Sequence, residues 1–204
     1  MSADTKERII ETALELFSRR GYMGTSMSDI ASQIGITKAA LYKHYSGKQE
    51  ILDCIIGRMN EEDTERAEEY GMPLGEPDGF AQSYLNTSAE RIREYSIAQF
   101  RHWTEDEFSA RFRRMLTIEQ YRDPKMAQLY QNYLASGPLE YMAAIFRRAT
   151  NSDKEAMQTA LDFYGPMFIL YSVYDGAEDK SSVIDMISAH IDSFTSQMQK
   201  RAAK

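Results

Sequence analysis

The sequence predicts an all-α protein, and three observations carry that prediction. Apolar residues recur at helical spacing almost from end to end. Runs of alternating β-branched residues, the mark of strands, are absent. Side-chain oxygens followed three residues later by a carboxylate or amide stand where helices should begin. These pairs are Asp4…Glu7, Ser26…Asp29, Ser46…Gln49, Ser152…Glu155 and Ser182…Asp185, and Asp123-Pro124 adds a cap residue before proline at a first helical position. Glycine, proline and short polar clusters then divide the chain into about nine or ten helices. The longest break, 71–79, holds three glycines and two prolines.

A length of 204 residues, 43% of them hydrophobic and 27% charged, fits one or two units with a sizeable core. No stretch reaches the ~18–20 apolar residues of a membrane helix, so no membrane partner is expected. Cys54 is the only cysteine, which excludes an intrachain disulfide and suits a reducing compartment. Met1-Ser2-Ala3-Asp4 leads straight into a charged helical pattern, so no signal peptide is expected and the predicted location is cytoplasmic. Enzymatic signatures are missing: there is no Gly-x-Ser-x-Gly, His-Glu-x-x-His, phosphate-cradling glycine loop or Cys-x-x-Cys, and no Glu-x-x-His pair for a helical di-metal site. No enzyme, cofactor or metal is expected. The net charge of −7 is unevenly spread. Residues 1–48 carry seven Lys/Arg against five Asp/Glu, whereas 49–204 carry 17 against 26. A small polyanion-contacting head on an acidic body fits that asymmetry.

The head is readable helix by helix. The first helix is predicted over 5–20, with Ile9, Ile10, Ala13, Leu14 and Phe17 on one stripe and Gly21 closing it. The second, about 27–34, buries Met27, Ile30, Ala31 and Ile34, and a third runs over 38–45. Ala31, Gly35 and Leu41 supply a small residue at the crossing, a residue tolerant of positive φ in the turn and an apolar anchor. That spacing fits a helix-turn-helix, with an ordinary αα-hairpin as the alternative. The third helix adds chemistry. Leu41 and Ala40 pack inward, leaving Lys38, Ala39, Tyr42, Lys43 and His44 outward or sideways, a set suited to phosphate anchoring and base-edge reading in a major groove. Thr25, Ser26 and Ser28 stand at a helix N-terminus, where hydroxyls and free N–H groups favour a phosphate, and Lys48 is a candidate for a second phosphate.

From Ile9 to Leu52 the chain resembles the headpiece of TetR/AcrR transcriptional regulators. The resemblance rests on 9–22 (Ile-Ile-Glu-Thr-Ala-Leu-Glu-Leu-Phe-Ser-Arg-Arg-Gly-Tyr), on Thr25 to Ala31, on Gly35 to Tyr45 and on Lys48 to Leu52. Tyr45, where the family often has Phe, and Gly47, where Ser is frequent, are small departures. The resemblance implies a three-helix DNA-binding domain over 1–48 joined by a connecting helix, 48–70, to a helical ligand-binding and dimerisation domain over 49–204. It further implies a homodimer on double-stranded DNA bearing a palindromic operator. Thr37, Lys38, Ala39, Tyr42, Lys43 and His44 would enter the major groove, with Tyr42 and Lys48 mainly on phosphates. A small molecule would release this repressor.

Two late stripes are candidates for the dimer interface that the family builds from its last two helices. One holds Phe168 and Tyr171, beyond a kink expected at Gly165-Pro166; the other holds Val183, Ile187, Ile191, Phe194 and Met198. The alternative is that both stripes pack on the chain's own core. The middle helices are rich in aromatics, and His102, Trp103, Glu119, Tyr121, Tyr141 and Tyr164 are the candidate lining of an effector pocket. An aromatic, acid-leaning lining would take a lipophilic, flat or cationic ligand. A helical DNA-binding adaptor or nucleoid-associated factor, acting through protein partners without a small molecule, remains the alternative function.

Overall fold

The computed structural model describes residues 3–73, 75, 83 and 86–202, and among these the only regular elements are helices. In chain order they are α1 (Ala3–Arg20), α2 (Met27–Ile34), α3 (Lys38–Tyr42), α4 (Lys48–Glu69), α5 (Ala89–Glu105), α6 (Glu107–Glu119), α7 (Pro124–Leu134), α8 (Ser136–Phe146), a single 3-10 turn (Arg147–Ala149), α9 (Asp153–Gly176) and α10 (Lys180–Ala202). No helix among the described residues is long and apolar enough to cross a membrane. Most of the expected break at 71–79 lies outside the described residues.

Several helix starts follow the predicted chemistry. Ser152 accepts from the Glu155 N–H at 3.2 Å, and Asp123 accepts from the N–H groups of Lys125 and Met126 at 2.9 and 3.0 Å. Others differ. Asp4 lies inside the first turn of α1, where it meets the helix dipole instead of capping it. Ser46 is held by Glu50, not Gln49, through its N–H at 2.6 Å and its hydroxyl at 2.8 Å. The last helix opens before Ser182: the Asp179 carboxylate accepts from the Ser181 N–H at 3.0 Å. Asp106, unsuspected from sequence, caps α6 by accepting from the Ser109 N–H at 2.8 Å.

The helices form two compact units. The first unites the residues up to Asp63 with Asp106–Tyr130, and so combines α1 to α3 and most of α4 with α6 and the start of α7. Its core contains Ile9, Leu14 and Phe17 of α1, Ile30 of α2, Leu41 of α3, Ile51, Leu52, Ile55 and Met59 of α4, and Phe112, Met115 and Leu116 of α6, all at most 1% exposed. α6 packs along α1. Arg58 binds this unit together differently: its guanidinium lies 3.9 Å from the Phe108 ring centroid and pairs with both Glu7 and Glu62.

The second unit unites Thr64–Glu105 with the residues from Gln131 onward. Here α9 packs against α8 and α10, and α5 against both α9 and α10. Phe100 of α5 stacks on Tyr171 of α9 with ring centroids 5.3 Å apart. α9 continues through Pro166 as one helix, although proline has no N–H to donate there.

This packing corrects the expected dimer stripe. Val183, Ile187 and Ile191 are at most 1% exposed and Tyr171 is buried, all within their own chain, so they have no surface left for a partner. Phe194 is half-buried among Phe146, Phe163 and His190, and Met198 is half-buried as well. Of the expected set only Phe168 is exposed. On the last two helices the large apolar side chains left exposed are Leu161, Phe168, Ile169 and Val173 of α9 and Met186 of α10.

Candidate nucleic-acid interface

The interface is assembled locally. Ser26 opens α2 with a reciprocal cap: its hydroxyl accepts from the Asp29 N–H at 3.2 Å, while the Asp29 carboxylate accepts from the Ser26 N–H at 2.7 Å and from its hydroxyl. Gly35 closes α2 at φ +79°, in the left-handed region, and its N–H reaches the carbonyls of Ala31 and Ser32. Ile36 donates to the Ala31 carbonyl at 3.0 Å, which tightens the turn. Thr37 then caps α3 by accepting from the Ala40 N–H at 3.1 Å. Leu41 plugs α3 into the core with no exposure. α3 is shorter than predicted, ending at Tyr42. The N–H groups of His44 and Tyr45 both return to the Leu41 carbonyl, at 2.9 and 3.1 Å, as a closing turn.

That anchoring leaves one face of α3 in solvent. Thr37, Lys38, Ala39, Tyr42 and Lys43 are exposed and His44 is half-buried. The Lys38 ammonium stands 5.9 Å from the Tyr42 ring centroid, a cation–π arrangement across one helical turn. At the start of α2, Ser26 and Ser28 are exposed.

Two candidate residues have a different place from the one predicted. Thr25 is buried, and its hydroxyl donates to the Gly21 carbonyl at 2.9 Å, so the side chain is spent on the turn before α2 and not offered to a phosphate. Lys48 is half-buried. Its ammonium donates to the carbonyls of Tyr22 and, at 2.8 Å, Thr25, and lies 4.2 Å from the Tyr22 ring centroid. Burial pulls this ammonium below the ordinary lysine range, and the Glu119 carboxylate acts in the opposite sense. Lys48 is therefore first a staple between α4 and the α1–α2 turn. Sequence showed the residue but not this role, because carbonyl partners leave no side-chain signature.

The two acidic caps titrate. The Ser26 hydroxyl, followed by the Ser26 N–H, holds the Asp29 carboxyl below its ordinary range; the Ser46 N–H and hydroxyl do the same for Glu50. A carboxyl lowered in the folded state contributes stability above its ordinary pKa and loses it as the pH falls through the lowered value. Thermal melts are accordingly expected to stay level from neutral pH down to about pH 5 and to fall below about pH 4. Asp29→Asn should flatten part of that acid limb; an unchanged limb in this variant would remove Asp29 from it.

The six residues expected to line an effector pocket are divided between the two units. Glu119 and Tyr121 belong to the first unit, the former fully buried and the latter 88% exposed. Trp103 is buried in the second unit beside His102 and Tyr133. The Tyr164 hydroxyl donates to the Leu134 carbonyl at 3.0 Å, and Tyr141 is exposed. The second unit does hold a cavity of about 240 Å³, lined by Ile92, Met142, Phe146, Phe163, Phe194 and Met198, with Thr87, Thr195 and Gln199 as its polar side chains. None of its lining residues is charged. A larger cleft, lined by Glu68, Glu69, Arg91, Arg93, Glu94 and Arg101 among others, is open and carries both signs of charge.

Residues 9–55 match the family model described as bacterial regulatory proteins, tetR family. Over 46 residues the chain is 50% identical to IcaR of Staphylococcus epidermidis, the HTH-type negative transcriptional regulator of the biofilm operon icaADBC. That match spans 22% of this chain and about a quarter of the relative's own length, 25%. Solved structures share the fold over most of the chain. A TetR-like transcriptional regulator from Rhodococcus sp. RHA1 superposes with a TM-score of 0.65 at 19% identity, covering 94% of this chain and 96% of the other. The fatty acid degradation regulator FadR from Bacillus halodurans gives 0.61 at 12% identity, covering 94% and 96%.

Proposed function

We propose that this chain, whose residues 9–55 match the model of the tetR family of bacterial regulatory proteins, is a sequence-specific DNA-binding regulator of transcription of that family. It acts as a cytoplasmic homodimeric repressor that a small molecule releases from a palindromic operator. The observation that carries this reading is the solvent face of α3: Lys38, Tyr42 and Lys43 are exposed on a helix whose other side is locked by Leu41, Gly35 and two caps. A scaffold helix of five residues gains nothing from exposing such a set, whereas a major-groove reader needs it. Ser28, at the exposed start of α2, is the side chain proposed for the flanking phosphate, because the Ser26 hydroxyl and N–H are both engaged by Asp29.

Dimerisation is assigned to the exposed apolar side chains Leu161, Phe168, Ile169 and Val173 of α9 and Met186 of α10, because large apolar side chains left in solvent on packed helices mark a candidate interaction surface. The effector is assigned to the cavity around Phe146, Phe163 and Phe194. Its uncharged lining favours a neutral apolar ligand, the lipophilic or flat kind among those that the sequence suggested, over a cationic one. α4 contributes residues to both units, 48–63 to the first and 64–69 to the second, which makes it the element through which an effector is proposed to act.

On an operator obtained by selection, the pair Tyr42→Ala and Lys43→Ala is expected to lower affinity by about tenfold each, the loss of one good polar contact. Both residues are exposed, so the melting temperature should be unchanged. Binding titrations that leave both variants within twofold of the parent would contradict the assignment of α3.

A further inference from the structure

The first unit buries a carboxylate that the reading above does not use. Glu119, the last residue of α6, has no solvent exposure. Its Oε1 accepts from the Arg122 guanidinium at 3.2 Å, but Arg122 is itself largely in solvent. Its Oε2 is buried and has no hydrogen-bond partner. A half-partnered buried carboxylate is costly, and a neutral amide or apolar side chain of the same size would be cheaper. Position explains what it does. Glu119 Oε1 lies so close to the turn leaving α1 that a Cβ on Gly21 would stand 2.0 Å from it. Gly21 adopts φ +83° and donates its N–H to the Phe17 carbonyl at 2.9 Å.

The other side of this turn is held by Lys48, whose ammonium bridges the Tyr22 and Thr25 carbonyls. Residues 21–25 are thus gripped between the first residue of α4 and the last of α6, directly before the Ser26 cap that starts α2. We propose that Glu119 is a positioning residue for DNA reading: its buried negative charge holds the Lys48 staple and the 21–25 turn in the geometry that aims α2 and α3. The end of α6 then governs operator affinity without touching DNA. This inference rests on the DNA-reading function proposed above.

The full-length Glu119→Gln variant keeps the side chain's shape and removes its charge. Two readouts are taken with the parent alongside: amide hydrogen exchange at residues 21–25, and affinity for the selected operator against affinity for random duplex. The expected result is at least tenfold faster exchange in the turn and at least fivefold weaker operator binding. Random-duplex binding should stay within twofold and the melting temperature should be unchanged or higher. A merely structural role would instead lower the melting temperature and leave the operator preference of the folded protein intact. Lys48→Met is expected to produce the same exchange and affinity changes, and the double variant to add little to either. Unchanged exchange or unchanged operator preference in Glu119→Gln overturns the proposal. A parent protein that selects no sequence would refute the DNA-reading function itself. Exchange in the turn would then decide alone whether Glu119 holds it.

Discussion

Replacing Gly21 by alanine is expected to abolish operator binding and to cost the first unit about 2–5 kcal/mol of stability. Two effects add. A left-handed backbone costs an L side chain roughly 1–2 kcal/mol, and Gly21 sits at φ +83°. The new methyl would also stand 2.0 Å from the Glu119 carboxylate, so a buried charge must move, an overpacking cost of about 1–3 kcal/mol. Gly35 separates the two effects. It has nearly the same backbone, φ +79°, with nothing within 4 Å of its would-be Cβ. Gly35→Ala should therefore lose only the backbone part, roughly 1–2 kcal/mol. Urea denaturation of both variants checks this: equal losses would mean that the Glu119 contact does not hold the turn.

Ile169→Asp is expected to turn the proposed dimer into a folded monomer and to weaken operator binding by about 10²–10⁴-fold, the avidity lost when two linked sites become independent. Ile169 is 63% exposed within the apolar face of α9, so the charge should be tolerated in the monomer, within about 0.5 kcal/mol. Val183→Asp is the contrasting case. Val183 is only 1% exposed, and a buried charge there should unfold the second unit instead of splitting dimers. Sedimentation of Ile169→Asp as an intact dimer would move the interface elsewhere.

The difference between those two residues shows what the sequence disclosed. The stripe Val183, Ile187, Ile191 announces burial through its spacing, but spacing is silent on whether the covering surface belongs to the same chain or to a second copy. The reading head was legible because its determinants are local: Ser26 and Asp29 three residues apart, Gly35 at the turn, Thr37 before α3. The exposed face of α3 follows from those same few residues. The placement of α6 was not legible. α6 packs along α1 about a hundred residues earlier in the chain, and amphipathic periodicity gives each helix a buried face without naming its partner. Glu119 was accordingly read as a pocket residue, when its neighbours are Gly21 and Arg122. Lys48 was read as a phosphate contact because backbone carbonyls, its actual partners, are invisible in a list of side chains.

Selection of the purified protein on random duplex DNA tests the central claim most directly. Enrichment of an inverted repeat is predicted, with half-sites about one helical turn, ~34–36 Å, or a multiple of it apart, and with affinity falling steeply as salt rises. Recovery of no common sequence, with weak binding even at low salt, would contradict a sequence-reading dimer.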